Sequence, residues 1–301
     1  MAVEKPEEVF REIQEWLNDP FNEDFMLKRP LAKLNEFSSG RELKVGEVLE
    51  ALTSLSHWYA SRGIVEVCAG ESNRHLCDSF WCDSFYNTLM WFSFWKEKNQ
   101  RKRSLLHAAL GLKRGAQPNP RISFNDQGLL MAKAFSLGLI TEGEAIGQNS
   151  LTGLKEGCFY GLSVNKMTPF ALSLFARWKN IILRDEQFPF AIPEPYDELL
   201  QNLHQQPDAI HSAVVKACDF HLSRSKENTD RESFEFADPV YAIYPVEILF
   251  FMRVRQLLGL RNAEVDHPLL NSPLGKLPLD SCSMSPSLRL VQKRIQENVM
   301  N

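Results

Sequence analysis

The chain lacks the short motifs by which most large enzyme classes are recognised. It contains no Gly-x-Gly-x-x-Gly, no phosphate-binding loop ending in Gly-Lys-Ser/Thr, no His-Glu-x-x-His and no Gly-x-Ser-x-Gly. Each of these patterns places a phosphate, a metal ion or a nucleophile at a fixed position in a local fold. Their absence predicts a protein with no catalytic residues and no cofactor, and we expect it not to be an enzyme.

An excess of one charge and a long hydrophobic run are also missing. The 38 acidic residues against 34 basic ones leave a formal net charge of −4, which does not by itself indicate nucleic acid or membrane. The densest apolar runs, 87–95 and 246–252, are well short of the roughly 18 residues that a membrane helix needs. The acidic first 24 residues do not resemble a secretory signal. We therefore expect a cytoplasmic protein without a membrane partner.

Cysteine is sparse and scattered. Such spacing does not fit a disulfide scaffold and predicts reduced thiols. The nearest approach to a metal site is the group Cys68, His75, Cys77 and Cys82. Structural zinc sites usually present paired Cys-x-x-Cys turns, which this group lacks. Buried, inert cysteines are therefore our interpretation, with no metal site. The six cysteines are at positions 68, 77, 82, 158, 218 and 282.

One cysteine and one histidine share a predicted helix face. Cys218 and His221 are three residues apart, a spacing that suits a thiolate and its base. No third group that would orient the histidine is recognisable, and the pair lies on an apolar stripe. We interpret both residues as structural.

Apolar residues recur at helical spacing in nearly every segment, which predicts an all-α protein. Period-2 alternation is confined to 64–67, too short for a sheet. Three Leu-Gly-Leu junctions, at 110–112, 137–139 and 258–260, fit helix ends, and their unequal separations argue against a repeat protein. The predicted helices are 6–18, 42–59, 76–95, 104–112, 127–139, 141–155, 169–180, 207–223 and 285–298.

The domain organisation is predicted to be one α-helical body over residues 1–301. The best candidate boundary is 184–195, which holds three prolines among polar residues. It would divide the chain into 1–183 and 196–301. We interpret it as a connector, because the apolar helix that follows at 246 needs partners from both sides.

The most informative segment is 234–278. Asp238 followed by Pro239 fits a helix start, and Pro245 predicts either a kink or a second helix. The almost entirely apolar stretch 246–260 predicts a buried central helix. Beyond it, Pro268, Pro273 and Pro278 recur every five residues among leucines. This spacing predicts an extended tail that wraps across the outside of the body.

This segment resembles a known family. The pattern Pro-x-Tyr-x-x-Tyr-Pro-x-Glu-Ile-Leu from Pro239 is followed by Arg-x-Arg-x-Leu-Leu-Gly-Leu and Asp-His-Pro-Leu-Leu-x-x-Pro-Leu-Gly-x-Leu-Pro. It is similar to the C-terminal part of the helical immunity proteins with which bacteria neutralise polymorphic toxins, including nucleases delivered by type VI secretion. A weaker similarity covers 127–179. The resemblance implies an antitoxin that inhibits a cognate toxin by occlusion, the toxin being encoded by an adjacent gene. In this setting His267 is expected to bond to the backbone.

Charge patterning supplies a candidate toxin-binding surface. Carboxylates concentrated in a polar loop between two apolar helices could face a basic partner, such as the substrate channel of a nuclease, and speed its association. The basic stretch 96–121 is interpreted as a solvated helix junction, so nucleic acid is not an expected partner. The candidate toxin-binding residues are Glu227, Asp230, Glu232, Glu235 and Asp238.

Two other function classes stay open at this stage. The first is a non-catalytic scaffold or adaptor that binds some other protein, and the presence of a toxin gene beside this one would discriminate against it. The second is an enzyme that uses Cys218 with His221, or the Cys68–Cys82 cluster. Thiol reactivity or metal analysis would discriminate this class.

Overall fold

A computed structural model describes residues 6–109, 122–161, 166–183, 188, 190–229, 234–277 and 282–300. The described chain is predominantly helical and has almost no strand, which confirms the all-α prediction. One π-helical turn, Glu23–Lys28, and one 3₁₀ turn, Pro273–Lys276, accompany the α-helices. The α-helices are α1 (Pro6–Leu17), α2 (Pro20–Asn22), α3 (Arg29–Ser38), α4 (Val45–Cys68), α5 (Arg74–Ala109), α6 (Phe124–Ser136), α7 (Ile140–Glu156), α8 (Met167–Trp178), α9 (Glu194–Gln201), α10 (Pro207–Ser223), α11 (Pro239–Ile243), α12 (Val246–Leu257), α13 (Pro268–Asn271) and α14 (Pro286–Met300).

Local sequence sets most of these boundaries. A proline at the first position begins α10 and α11, and the Asp238 carboxylate caps α11 by accepting from the Val240 N–H at 2.9 Å. Gly138 and Gly259 follow helix ends with φ of 77° and 73°, as their Leu-Gly-Leu junctions predict. The third junction, 110–112, lies outside the described residues. The alternating stretch 64–67 is part of α4.

Two strands of two residues each were not predicted. β1 (Ile122–Ser123) pairs in parallel with β2 (Phe159–Tyr160). The pair holds the start of α6 beside the chain that leaves α7. These strands are too short to show an alternating pattern in the sequence.

The core consists of two apolar clusters. The larger one surrounds α6, which packs against α7, α8 and α12, and it draws on residues from both sides of the 184–195 connector. The smaller one joins α3, α4, α5 and α14 through Leu34, Leu55 and Leu288. Helix α12 is the buried central helix that the sequence predicts, and Pro245 separates it from α11 as a second helix and does not kink a single one.

The expectation of an extended, non-helical proline tail was wrong. Pro268 begins the short helix α13, and Pro273 begins the 3₁₀ turn. A proline at the first helical position loses no hydrogen bond, because that N–H would be unsatisfied in any helix. His267 caps α13 by accepting from the Leu269 N–H at 3.3 Å, as expected of a histidine bonded to backbone. Leu274 is buried beneath these turns. Pro278 lies outside the described residues.

The expectation of reduced thiols throughout was also wrong. Cys77 in α5 and Cys282 before α14 form a disulfide, with their Cα atoms 5.5 Å apart. The two residues are separated by 205 positions, and spacing along the chain does not reveal a pairing at that distance. The bond fastens the chain entering α14 to α5. Cys68, Cys82, Cys158 and Cys218 are free.

Candidate functional site

The predicted acidic surface divides into residues with different roles. Glu227 is exposed, whereas Asp230 and Glu232 lie outside the described residues. The Glu235 side chain is only 2% exposed, and its Oε2 accepts from Arg224 Nε at 2.5 Å. Asp238 caps α11 and faces His57. Two of the three described carboxylates are therefore engaged within the protein.

Asp238 leads to a cleft that the sequence did not reveal. The cleft has a volume of about 340 Å³ and lies among α4, α5, α6 and α11, with the ends of β1 and β2 at its mouth. Its walls combine charged groups with three tyrosines. The charged groups and tyrosines are His57, Asp83, Tyr86, Asp126, Lys133, Tyr160, Asp238 and Tyr241.

A buried lysine forms one wall of this cleft. The Lys133 side chain is 1% exposed, and its Nζ donates to Asp83 Oδ2 at 2.8 Å and to Ser79 Oγ at 2.7 Å. The Ser79 hydroxyl in turn donates to the Ser56 carbonyl at 2.8 Å. A buried ammonium is tolerated only with such compensation. The sequence signal for this burial is a single lysine inside the apolar run of α6. Hydrophobic patterning alone would place that lysine at the surface.

A histidine and a carboxylate form a second charged pair at the cleft. His57 Nδ1 lies 3.6 Å from Asp238 Oδ2. The Asp238 carboxylate raises the pKa of His57 above the ordinary 6.5, against the effects of partial burial and of Lys133. Burial alone would raise the pKa of Asp238, but His57 and the Val240 amide together outweigh burial and lower it from 3.8.

We predict that this pair stabilises the fold in a defined pH window. The protonated His57 is favoured in the folded state, so its contribution is complete below pH 6.5 and is lost as the pH rises through its higher folded pKa. The Asp238 contribution is present above pH 3.8 and is lost as the pH falls through its lower folded pKa. The measurement is an NMR titration of the His57 imidazole, with an expected midpoint above 6.5.

The matched variant is Asp238→Asn, because asparagine retains the capping oxygen and removes the charge. The His57 midpoint is expected to fall in this variant, and the stability difference from the parent should be greatest between about pH 4 and pH 6.5. A His57 midpoint that does not change would contradict the pairing.

The cleft has a negative electrostatic character. Burial raises the pKa of the Tyr241 hydroxyl well above 10, and the charges of Asp83, Asp238 and Asp126 add to this rise. Three carboxylates therefore act on one phenol in a cleft whose other charged groups are Lys133 and His57. Asp126 is exposed in the first turn of α6, and its backbone N–H donates to Ser123 Oγ.

The predicted cysteine and histidine pair belongs to a separate buried network. The hydrogen bonds of His221 go to Glu247 Oε1 at 2.8 Å and to the Ala242 carbonyl at 3.3 Å. Tyr196 donates to the same Glu247 oxygen at 3.2 Å. Cys218 is fully buried, and burial raises the pKa of its thiol. Burial therefore disfavours the thiolate form that a nucleophile requires.

The four candidate zinc ligands are not assembled. Cys77 is bonded to Cys282, Cys82 is fully buried, and His75 Nδ1 lies 2.6 Å from Glu66 Oε2. Across the described ranges, no group of three or more His, Cys, Asp or Glu side chains is placed to hold a metal ion.

The described lysines of the basic stretch 96–121 make contacts with nearby side chains. Lys98 pairs with Glu156 and lies 5.0 Å from the Trp95 ring centroid, and Lys96 lies 5.7 Å from that of Phe92. The side chains of the other basic residues fall outside what the structure describes. These are Arg101, Lys102, Arg103, Lys113, Arg114 and Arg121.

Within the part of the chain that the structure covers, no helix has both the length and the apolar character that crossing a bilayer demands. Comparisons with protein-family models, with curated proteins and with solved structures found no match.

Proposed function

We propose that the protein is an immunity protein that binds a cognate bacterial toxin and inhibits it by occlusion, without chemistry of its own. The observation that carries the proposal is the open cleft, in which Asp83, Asp126 and Asp238 outnumber Lys133 and His57. A preformed cavity of negative character complements a basic partner surface. The sequence resemblance over 234–278 supports the same function independently.

The partner class follows from charge. A nuclease lines its substrate channel with Lys and Arg, since it must hold a polyanion. An inhibitor that presents carboxylates to that channel would block it and would associate rapidly at low salt. We propose such a toxin, encoded by an adjacent gene, as the partner and the cytoplasm as the site of action. The Cys77–Cys282 bond is the feature that weighs against a reducing compartment.

The test is co-expression of the chain with the product of the neighbouring gene. We expect the two proteins to co-purify as a stable complex and the chain to restore growth of cells that the neighbour kills. A neighbour that is not toxic, together with a stable complex with another protein, would favour the scaffold alternative. Failure to bind or protect against a toxic neighbour would contradict the immunity function.

The acidic loop, which contains the candidate toxin-binding residues from Glu227 to Asp238, is tested in the same complex. Changing Glu227 and Glu232 to Lys should slow association and flatten its dependence on ionic strength, because rim charges act mainly on the association rate. Glu235 is left intact, since it pairs internally with Arg224. The control changes Glu12 and Glu15, both exposed on α1, to Lys. An association rate and a salt slope equal to those of the control would assign the loop to solubility alone.

A further inference from the structure

We infer that the cleft receives an arginine side chain of the partner, with Asp126 as the carboxylate that binds its guanidinium. The inference rests on the proposed function, because it takes the partner to be a basic toxin. It specifies which group of that toxin enters the protein and where.

The charge arrangement identifies the receiving carboxylate. Asp83 is paired with Lys133, and Asp238 is paired with His57. Asp126, the third carboxylate of the cleft, forms no ion pair with a described residue, and it is exposed at the mouth. An incoming cation would therefore complete the pairing of the cleft without displacing an existing partner.

The walls favour a guanidinium over an ammonium. Tyr86 and Tyr160 line the cleft with Asp126, and the Tyr160 side is open, since that residue is 49% exposed. Tyr86 and Asp126 line the same cleft, and the charge of Asp126 adds to the rise that burial causes in the pKa of Tyr86. A planar guanidinium can stack on a tyrosine ring while it donates two hydrogen bonds to a carboxylate.

A second depression extends the surface beyond the cleft. A groove of about 600 Å³ between α3 and α4 shares Thr53 and Tyr86 with the cleft. Its other lining side chains include Phe25, Leu49, Glu50, Arg29 and Lys33, so the groove carries cations of its own. Phe25 is 51% exposed and stacks on Phe21, which is 67% exposed, with ring centroids 5.8 Å apart. Exposed stacked aromatics beside a charged cavity are typical of a protein interface.

The first experiment tests the cleft with a small probe. N-acetyl-arginine amide is titrated into the isotope-labelled full chain and followed by NMR, with the neutral isostere N-acetyl-citrulline amide in parallel. We expect saturable shifts of residues around Asp126 and Tyr86 with the arginine probe and roughly tenfold weaker binding of the citrulline probe. Equal binding of both probes, or no shifts at the cleft at the highest soluble concentration, would overturn the inference.

The variants give the residue-level test. Asp126→Asn should weaken binding of the arginine probe roughly tenfold or more. Asp208→Asn, the same change in the exposed first turn of α10, is the matched control and should leave binding unchanged. Thermal melting of both variants establishes that the fold is retained. If Asp126→Asn melts like the parent and still binds the probe with full affinity, Asp126 is not the receiving group.

The toxin complex separates this inference from the function on which it rests. If the neighbouring toxin binds the parent and the Asp126→Asn variant equally well, the inference fails and the immunity function stands. If the arginine probe binds the cleft but the chain neither binds nor inhibits the toxin, the immunity function fails instead. Loss of toxin affinity in Asp126→Asn alone, with Asp208→Asn unaffected, supports both.

Discussion

Replacing Arg255 by Met is expected to lower the free energy of unfolding by roughly 3–5 kcal/mol. Arg255 lies in α12 and is fully buried. Its guanidinium donates to the carbonyls of Leu203, Gln205 and Arg261, which belong to two different loops. Methionine fills most of the volume but leaves these carbonyls without a donor. Urea unfolding followed by circular dichroism measures the loss.

The control is Arg289→Met on α14. Arg289 is exposed, so its replacement should cost less than about 1 kcal/mol. Arg255→Lys should also destabilise, because an ammonium does not reproduce the planar fork. Equal stability of Arg255→Met and Arg289→Met would show that the three carbonyls do not depend on the guanidinium.

Replacing Phe250 by Ala is expected to cost about 3–5 kcal/mol, the usual range for a buried phenylalanine. Phe250 is fully buried in α12, and its ring centroid lies 4.4 Å from that of Phe135 in α6. The change would leave a cavity between two central helices, since the neighbouring helices relax only partially. The midpoint of urea unfolding reports the effect, with an unchanged slope indicating the same unfolding transition.

Leu257→Ala is the matched control for Phe250→Ala. Leu257 ends the same helix and is 40% exposed, so the change removes little buried surface and should cost less than about 1 kcal/mol. If Phe250→Ala unfolded at the same denaturant concentration as Leu257→Ala, α12 would have to be a peripheral helix.

The sequence predicts the helices better than it predicts the site. Helix α10 matches its predicted bounds, 207–223, because Pro207 marks its start and the apolar spacing continues to its end. The prediction for the tail is wrong because prolines five apart indicate helix breaking, although a proline also suits the first position of a short helix. Local rules describe both outcomes, and only tertiary packing selects between them.

The cleft could not be predicted because its charged residues find their partners far along the chain. Lys133 binds Asp83, 50 residues away, and His57 faces Asp238, 181 residues away. Patterning assigns such polar residues to the surface, since their burial is favourable only when those distant partners are present. Outside the cleft, the burial of Glu247 could not be predicted for the same reason, since its partner His221 lies on another helix. The sequence indicates Asp238 as a helix start and as a member of the acidic loop, but not as part of a cavity.

The Cys77–Cys282 bond gives the polypeptide the topology of a closed ring, with a long arm before Cys77 that contains α1 to α4 and a shorter arm after Cys282 that contains α14. A protease that cuts the backbone once anywhere inside this ring produces two pieces that are still one covalent molecule. Such a nicked protein keeps α14 attached to α5, so the pieces do not separate by diffusion and their core contacts can re-form at intramolecular concentration. A second cut, or a thiol reductant, is needed before any part of the ring is released.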